Sequence, residues 1–246
     1  MKRVLLCVSY DGTNYSGWQV QKNAATVEGE LNKALSELLN SPTEVIGASR
    51  TDAGVHGLCN MAVFDTTARI PAEKVSYALN TRLPDDIRVV WSKEVDADFH
   101  PRHRLTEKTY EYHIWNADYM PPTKRLYAYK YNRKLNIDLM NEGASYLVGE
   151  HDFKSFCSVH SQAETTVRNV TGIKVLRDGD EVTIKVSGNG FLYNMVRIIA
   201  GTLIEVGYGH RTPENINDVL AACNREAAGP TAPANGLVLA DFKFLE

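Results

Sequence analysis

At 246 residues, with 43% hydrophobic and 23% charged residues and a formal net charge of −3, the chain has the make-up of a soluble globular protein with a sizeable core. No apolar run approaches the ~20 residues that span a bilayer, and Met1-Lys2-Arg3 followed by Val4-Leu5-Leu6-Cys7-Val8 reads as a first strand rather than a signal peptide. The four cysteines, at positions 7, 59, 157 and 223, form no C-x-x-C pair, which argues against a zinc site or a disulfide framework and suits a reducing cytoplasm.

In chain order, Lys2–Tyr10 is a predicted strand and Thr26–Asn40 a helix with Thr26 as its N-cap. Val27, Leu31, Leu35 and Leu38 recur at three- and four-residue spacing and give that helix one buried stripe. Strands follow over Glu44–Ala48 and Leu58–Thr66, then a helix from Pro71 to Thr81 and a strand over Ile87–Val95. This β-α-β-β-α-β order is the ferredoxin-like arrangement. The strand signal lapses near Phe99–Leu105, which divides the chain into 1–103 and 104–246. In the second half Thr109–Trp115 and Tyr127–Tyr131 read as strands and Ile137–Val148 as a helix. Val170–Arg177 and Glu181–Ser187 form a hairpin around Asp178-Gly179-Asp180. Helices over Phe191–Val206 and Pro213–Asn224 and a closing strand, Leu237–Phe244, complete a second α+β half.

Chemistry concentrates in Ser49-Arg50-Thr51-Asp52-Ala53-Gly54-Val55-His56-Gly57, a glycine-bounded segment between two apolar stretches. In extended backbone Arg50 and Asp52 point to the same side. A carboxylate beside a guanidinium stays ionised, as a nucleophile or general base must; an Asx-type turn with a surface ion pair is the plainer reading. Arg197 sits in Asn194-Met195-Val196-Arg197-Ile198-Ile199-Ala200, a helix segment otherwise fit for burial. A buried guanidinium needs a partner, and the nearest acid on that helix, Glu205, is two turns away. Asp52 is the candidate, against a snorkelling arginine at a helix edge. Tyr110, Tyr112 and Ile114 share one strand face, so Tyr110 reads first as core. Between His100 and Lys134 eight Lys/Arg meet three Asp/Glu and six of the twelve tyrosines, a mixture that suits RNA. There Tyr127, Tyr129 and Tyr131 alternate as one sheet face would, while Arg102, Arg104, Lys124 and Arg125 suit either RNA phosphate or a solvated surface. Gly188-x-Gly190 lacks the third glycine of a dinucleotide loop, and His100-x-x-His103 and Cys157/His160 near His151 are too few for a metal.

The string GASRTDAGVHG resembles the active-site loop of the TruA family of tRNA pseudouridine synthases. Further blocks agree in order: Tyr10-Asp11-Gly12-Thr13, Gly17-Trp18-Gln19, Thr26-Val27-Glu28-Gly29, Lys108-Thr109-Tyr110-Glu111-Tyr112, His151-Asp152-Phe153, Gly188-Asn189-Gly190-Phe191-Leu192, Met195-Val196-Arg197 and Thr231-Ala232-Pro233-Ala234. Ser49 departs from the glycine of many relatives. The resemblance implies two ferredoxin-like (RRM-like) α+β domains, their antiparallel sheets joined and an active-site cleft between them. It implies isomerisation of uridine to pseudouridine at tRNA positions 38 to 40, by a cytoplasmic homodimer with no metal or organic cofactor and no membrane association. On this reading Asp52 is catalytic, Arg197 pairs with it, and Tyr110 packs on the target base and has a possible role in moving its C5 proton. Arg50 helps extrude the nucleotide or fills its vacated place. His56, four residues beyond the acid, suits a base but better a brace of the loop or a phosphate contact. Two other classes fit parts of the pattern: a tRNA-binding factor without catalysis, and a hydrolase using one ionised acid.

Overall fold

The computed structural model describes residues 1–159 and 163–245 and separates into two compact units. Unit 1 comprises Met1–Leu105 together with the chain from Leu239 on, and unit 2 comprises Thr106–Val238. In both, helices combine with largely antiparallel strands. Among the described residues no helix is long and apolar enough to cross a membrane.

Unit 1 begins with β1 (Lys2–Tyr10), α1 (Val27–Leu39), β2 (Ile46–Gly47), β3 (His56–Thr66), α2 (Val75–Asn80) and β4 (Ile87–Val95). Strand β1 is central, antiparallel to β4 on one side and β3 on the other; β2 adds to β3. The apolar run of β1 reflects burial on both faces. Val4, Leu6 and Val8 meet the stripe of Val27, Leu31 and Leu35 on α1, while Leu5 and Cys7 join Met61 and Val63 beneath. Thr26 caps α1 as expected, its hydroxyl accepting from the Gly29 N–H at 3.2 Å. The predicted strand Glu44–Ala48 shrinks to two residues because the Val45 N–H goes to the Asn32 side chain, at 2.8 Å, rather than to a strand. The helix expected from Pro71 divides into a 3-10 turn, Ala72–Lys74, and the short α2.

Unit 2 contains β5 (Thr106–Trp115), β6 (Tyr129–Lys130), α3 (Ile137–Ser145), β7 (Gly149–Asp152), β8 (Val167–Asp178), β9 (Glu181–Gly188), α4 (Met195–Gly207) and α5 (Asn215–Ala222). The order β5-β9-β8-β7 is antiparallel throughout, with β6 added in parallel to β5. The final strand β10 (Leu237–Phe244) lies beside β3 in unit 1, so residues from Leu239 on cluster with the first half rather than with 104–246. Tyr127–Tyr131 is not a full strand: the Tyr127 N–H closes a turn on the Lys124 carbonyl, Tyr127 is exposed, and only Tyr129–Lys130 pairs. The short polar β7 carries no alternation that would announce it in the sequence.

Helix α4 starts at Met195, four residues after the expected Phe191, because Asn194 takes a left-handed conformation (φ 62°) that ends the approach to the helix. Eleven of its thirteen residues are buried; the exceptions are Arg197 and Glu205. Segment 228–232 lies against α4 at Gly201, where an added Cβ would meet the Pro230 carbonyl oxygen at 1.8 Å. Alanine would improve the helix by ~1 kcal/mol in isolation, but overpacking against backbone costs about 1–3 kcal/mol. Gly201→Ala therefore lowers Tm, at roughly 2–4 °C per kcal/mol of net loss for a chain of this size, as read by thermal unfolding. An unchanged or higher Tm would mean that this segment does not lie on the helix.

Candidate active site

The loop that carries Arg50 and Asp52 is shaped by close backbone packing in unit 1. The Asp52 carbonyl accepts from the Val55 N–H at 3.1 Å, and Gly54 at the third turn position has φ +76°, the left-handed geometry a type II turn requires. Segment 12–18 is pressed onto this turn. The Trp18 N–H donates to the Thr51 carbonyl at 3.0 Å, and the Gly54 N–H donates to the Tyr15 carbonyl at 3.2 Å. A Cβ on Gly12 would stand 2.0 Å from the Val55 carbonyl oxygen, and one on Gly17 2.5 Å from the Thr51 carbonyl oxygen. The early Tyr10-Asp11-Gly12-Thr13 and Gly17-Trp18 blocks therefore form the bed of the loop.

Three side chains hold the loop from below. Asn60, 0% exposed, accepts from the Ser49 N–H (3.3 Å) and donates to the Ser49 carbonyl (3.0 Å), fixing the residue before Arg50 from both ends. The Tyr10 hydroxyl lies 2.8 Å from the Thr51 hydroxyl, and burial pushes its phenol well above the ordinary range, so it remains a neutral hydrogen-bonding group. His56, expected to brace the loop or meet phosphate, is 6% exposed. Its Nδ1 accepts from the Gly12 N–H at 3.1 Å, with Asp11 Oδ1 at 3.1 Å from the same nitrogen. That burial and those partners suit a brace.

Around this frame the side chains differ in exposure. Arg50 is exposed and Asp52 half-buried. Exposed Arg102 donates through Nε to the Gly47 carbonyl at 2.7 Å; burial and then the nearby Arg50 charge hold its guanidinium below its ordinary range. Two cations therefore stand together beside the loop. Arg104 is placed differently, its guanidinium carbon 5.2 Å from the centre of the Phe99 ring. His100 and His103 stack at 3.9 Å with no metal-type third ligand: among the described residues no group of three or more His, Cys, Asp or Glu could hold a metal ion. His160 lies outside the described residues.

Tyr110 and Arg197 belong to unit 2. Tyr110, 7% exposed on β5, packs edge-on against Phe191 with ring centres 5.2 Å apart. Tyr112 is core, with its hydroxyl donating to the Pro233 carbonyl at 2.8 Å. Half-buried Arg197 donates through Nε to the Ala232 carbonyl (2.8 Å) and through Nη1 to Asn194 Oδ1 (2.7 Å). The left-handed turn before α4 and the segment laid on α4 thus both orient one guanidinium. Glu205 is taken by Arg211 at 2.5 Å. Lys124 is bound to Glu181 at 2.7 Å, and exposed Arg125 donates to the Pro122 carbonyl at 2.8 Å. Sequence reading missed Asn60 as a holder of the loop, and it missed the approach of Cys7 and Cys59, whose sulfurs stand 3.1 Å apart across β1 and β3. Spacing alone could not reveal either contact.

The family model for tRNA pseudouridine synthase matches residues 6–103 and 144–244, a span that includes Asp52 and Arg197. The chain belongs to that family. It is 48% identical over 239 residues to the tRNA pseudouridine synthase A of Brevibacillus brevis, covering 97% of this chain and 98% of the relative. It is 46% identical over 244 residues to the tRNA pseudouridine synthase A of Acetivibrio thermocellus, covering 99% and 100%. Among solved structures, a Cbf5-Nop10-Gar1 complex overlaps 81% of this chain and 54% of that chain at 16% identity and a TM-score of 0.33, too loose a match to argue from.

Removing the Asn60 side-chain amide leaves the Ser49 N–H and carbonyl buried without their partner. Asn60→Ala is expected to cost about 1–3 kcal/mol of stability and to lower kcat more than it raises KM. Thermal unfolding and steady-state kinetics check both; a stable variant with wild-type kcat would show that Asn60 does not hold the loop.

Proposed function

We propose that this chain isomerises uridine to pseudouridine in the anticodon arm of tRNA, at positions 38 to 40. The observation that carries the reading is the loop bedded on Gly12 and Gly17, which presents half-buried Asp52 and exposed Arg50 and falls within the family match. The reaction breaks the N1–C1′ bond, turns the uracil, and joins C5 to C1′; the C5 proton is lost and N1 gains one, with no net change in atoms or electrons.

Asp52 acts from its carboxylate form, by attack on a carbon of the nucleotide or by removal of the sugar 2′ proton. By resemblance to the family, Arg197 is its cationic partner, and Arg197's orientation by Ala232 and Asn194 suits a guanidinium that must hold one acid in one place. Tyr110 packs on the uracil. Its burial and its contact with Phe191 favour a stacking surface over a solvent-exposed acid or base. Arg50 supports the vacated stack once the nucleotide is extruded, offsetting part of the few kcal/mol that extrusion costs. Arg102, next to Arg50, meets backbone phosphate; Arg104 and Arg125 extend the basic surface, whereas the Glu181 contact of Lys124 gives it a weaker claim. His56 supports the loop and through it the substrate.

Unit 1 shows the order β4-β1-β3, with β2 and β10 both beside β3; its first four strands support a ferredoxin-like reading for it. The working protein is a cytoplasmic homodimer that binds one tRNA across both subunits.

With a tRNA transcript tritiated at uracil C5, the wild-type chain is expected to release tritium. Asp52→Asn is expected to release none while binding tRNA within a few-fold of wild type. Retained turnover in that variant, or a large loss of binding, would remove Asp52 from its catalytic role. Arg197→Ala is expected to be both inactive and less stable, because it strands its partners. A normal melting temperature with full activity would remove Arg197 from the site.

A further inference from the structure

Arg168, near the start of β8, is not accounted for by the fold or by the residues assigned above. It is half-buried and its own loop uses only one of its nitrogens: Nη1 donates to the Thr165 carbonyl at 2.9 Å and to the Val167 carbonyl at 2.6 Å. No carboxylate of the described residues pairs with it, whereas Arg3, Arg88 and Arg211 each have one. Arg225, the comparable half-buried arginine of unit 2, spends both terminal nitrogens on the Ala228 and Gly229 carbonyls and the Thr231 hydroxyl. Arg168 leaves the Nε/Nη2 edge of its guanidinium without a protein acceptor among the described residues.

That edge lies beside a stretch of bare backbone. A Cβ added to Gly190 would stand 4.0 Å from Arg168 Nε, and the turn is fixed by the Asn189 N–H donating to the Asn169 carbonyl (3.1 Å) and by the Asn169 N–H donating to Asn189 Oδ1 (3.2 Å). At Gly190 the Gly188-x-Gly190 turn, no dinucleotide loop, thus shows no side chain to the cation. Burial holds the Arg168 guanidinium below its ordinary range, a cost that an incoming anion would offset. Two parallel N–H groups on a planar fork match two oxygens of one phosphate, a geometry lysine cannot supply.

We propose that Arg168 binds a phosphodiester of the RNA substrate through its Nε/Nη2 edge, beside the Gly188–Gly190 turn. This assignment rests on the tRNA reading above and adds to it a backbone contact in unit 2.

The test is binding of a fluorescently labelled tRNA transcript by anisotropy, at about 50 to 200 mM salt, with thermal unfolding of every variant alongside. Arg168→Gln is expected to weaken binding about tenfold and to reduce the slope of log K against log salt by about 0.7–0.9, the loss of one phosphate contact. Arg168→Lys, which keeps the charge and is the variant to read if Arg168→Gln fails to fold, should keep the salt slope and weaken binding only a few-fold. Arg225→Gln should leave the slope unchanged. A folded Arg168→Gln with the wild-type slope overturns the assignment, whether or not affinity falls, since a loss without a change in slope reports on the shape of the 165–168 turn. If Arg168→Gln is unfolded, wild-type affinity in Arg168→Lys overturns it instead. A wild-type chain that binds tRNA with an Arg168-dependent slope but makes no pseudouridine would defeat the reaction and leave the phosphate contact standing. Normal turnover with no Arg168 effect would do the reverse.

Discussion

The candidate site depends on one constraint: the backbone of residues 51–55 must lie within hydrogen-bonding distance of the backbone of residues 12–18. Two glycines permit that approach, because any side chain at Gly12 or Gly17 would collide with a carbonyl oxygen of the loop. Once the two segments touch, the Trp18 and Gly54 N–H groups pin the turn, and Asn60, Tyr10 and His56 close the space beneath it. The loop is thus held by main-chain groups, which have no rotamer freedom to lose, together with three buried side chains. Arg50 is left exposed on it and Asp52 half-buried. A carboxylate that must meet one atom of a nucleotide benefits from such a platform, since small errors of placement are costly in rate.

Unit 2 solves a similar problem by other means. A single guanidinium interrupts an almost wholly buried helix, and two flanking pieces of chain aim it: Asn194 in a left-handed turn, and segment 228–232, which fits because Gly201 has no side chain. The cost of half-burying Arg197 is met by directed hydrogen bonds. Arg168 meets the same cost only in part, which is why it stands apart from the half-buried Arg197, Arg211 and Arg225.

Much of this was legible in the sequence. The bounds of β1, β4 and β10 agree with the apolar runs that announce them, and the α1 stripe and its Thr26 cap follow from helical spacing. Legibility failed where a side chain outbid the backbone. Asn32 takes the Val45 N–H and shortens β2, and Asn194 delays α4 by adopting a conformation that no periodicity encodes. At the site, the chemistry-bearing residues stood out by type, yet their supports did not. Asn60 looks like any polar residue in a strand until the fold puts it under Ser49, and Lys124 looks like a free cation until Glu181, far along the chain, arrives beside it. Cys7 and Cys59, far apart in sequence, meet only because β1 and β3 pair. Local patterns specify elements; contacts across strands and loops decide which charges remain available.

The most direct test of the whole account is to incubate the purified wild-type chain with an unmodified tRNA transcript in buffer alone. Pseudouridine is then mapped by carbodiimide adduct and primer extension, because the isomerisation leaves mass unchanged. The account predicts a new stop in the anticodon arm, at one or more of positions 38 to 40. Tight tRNA binding with no stop anywhere in the transcript would contradict it.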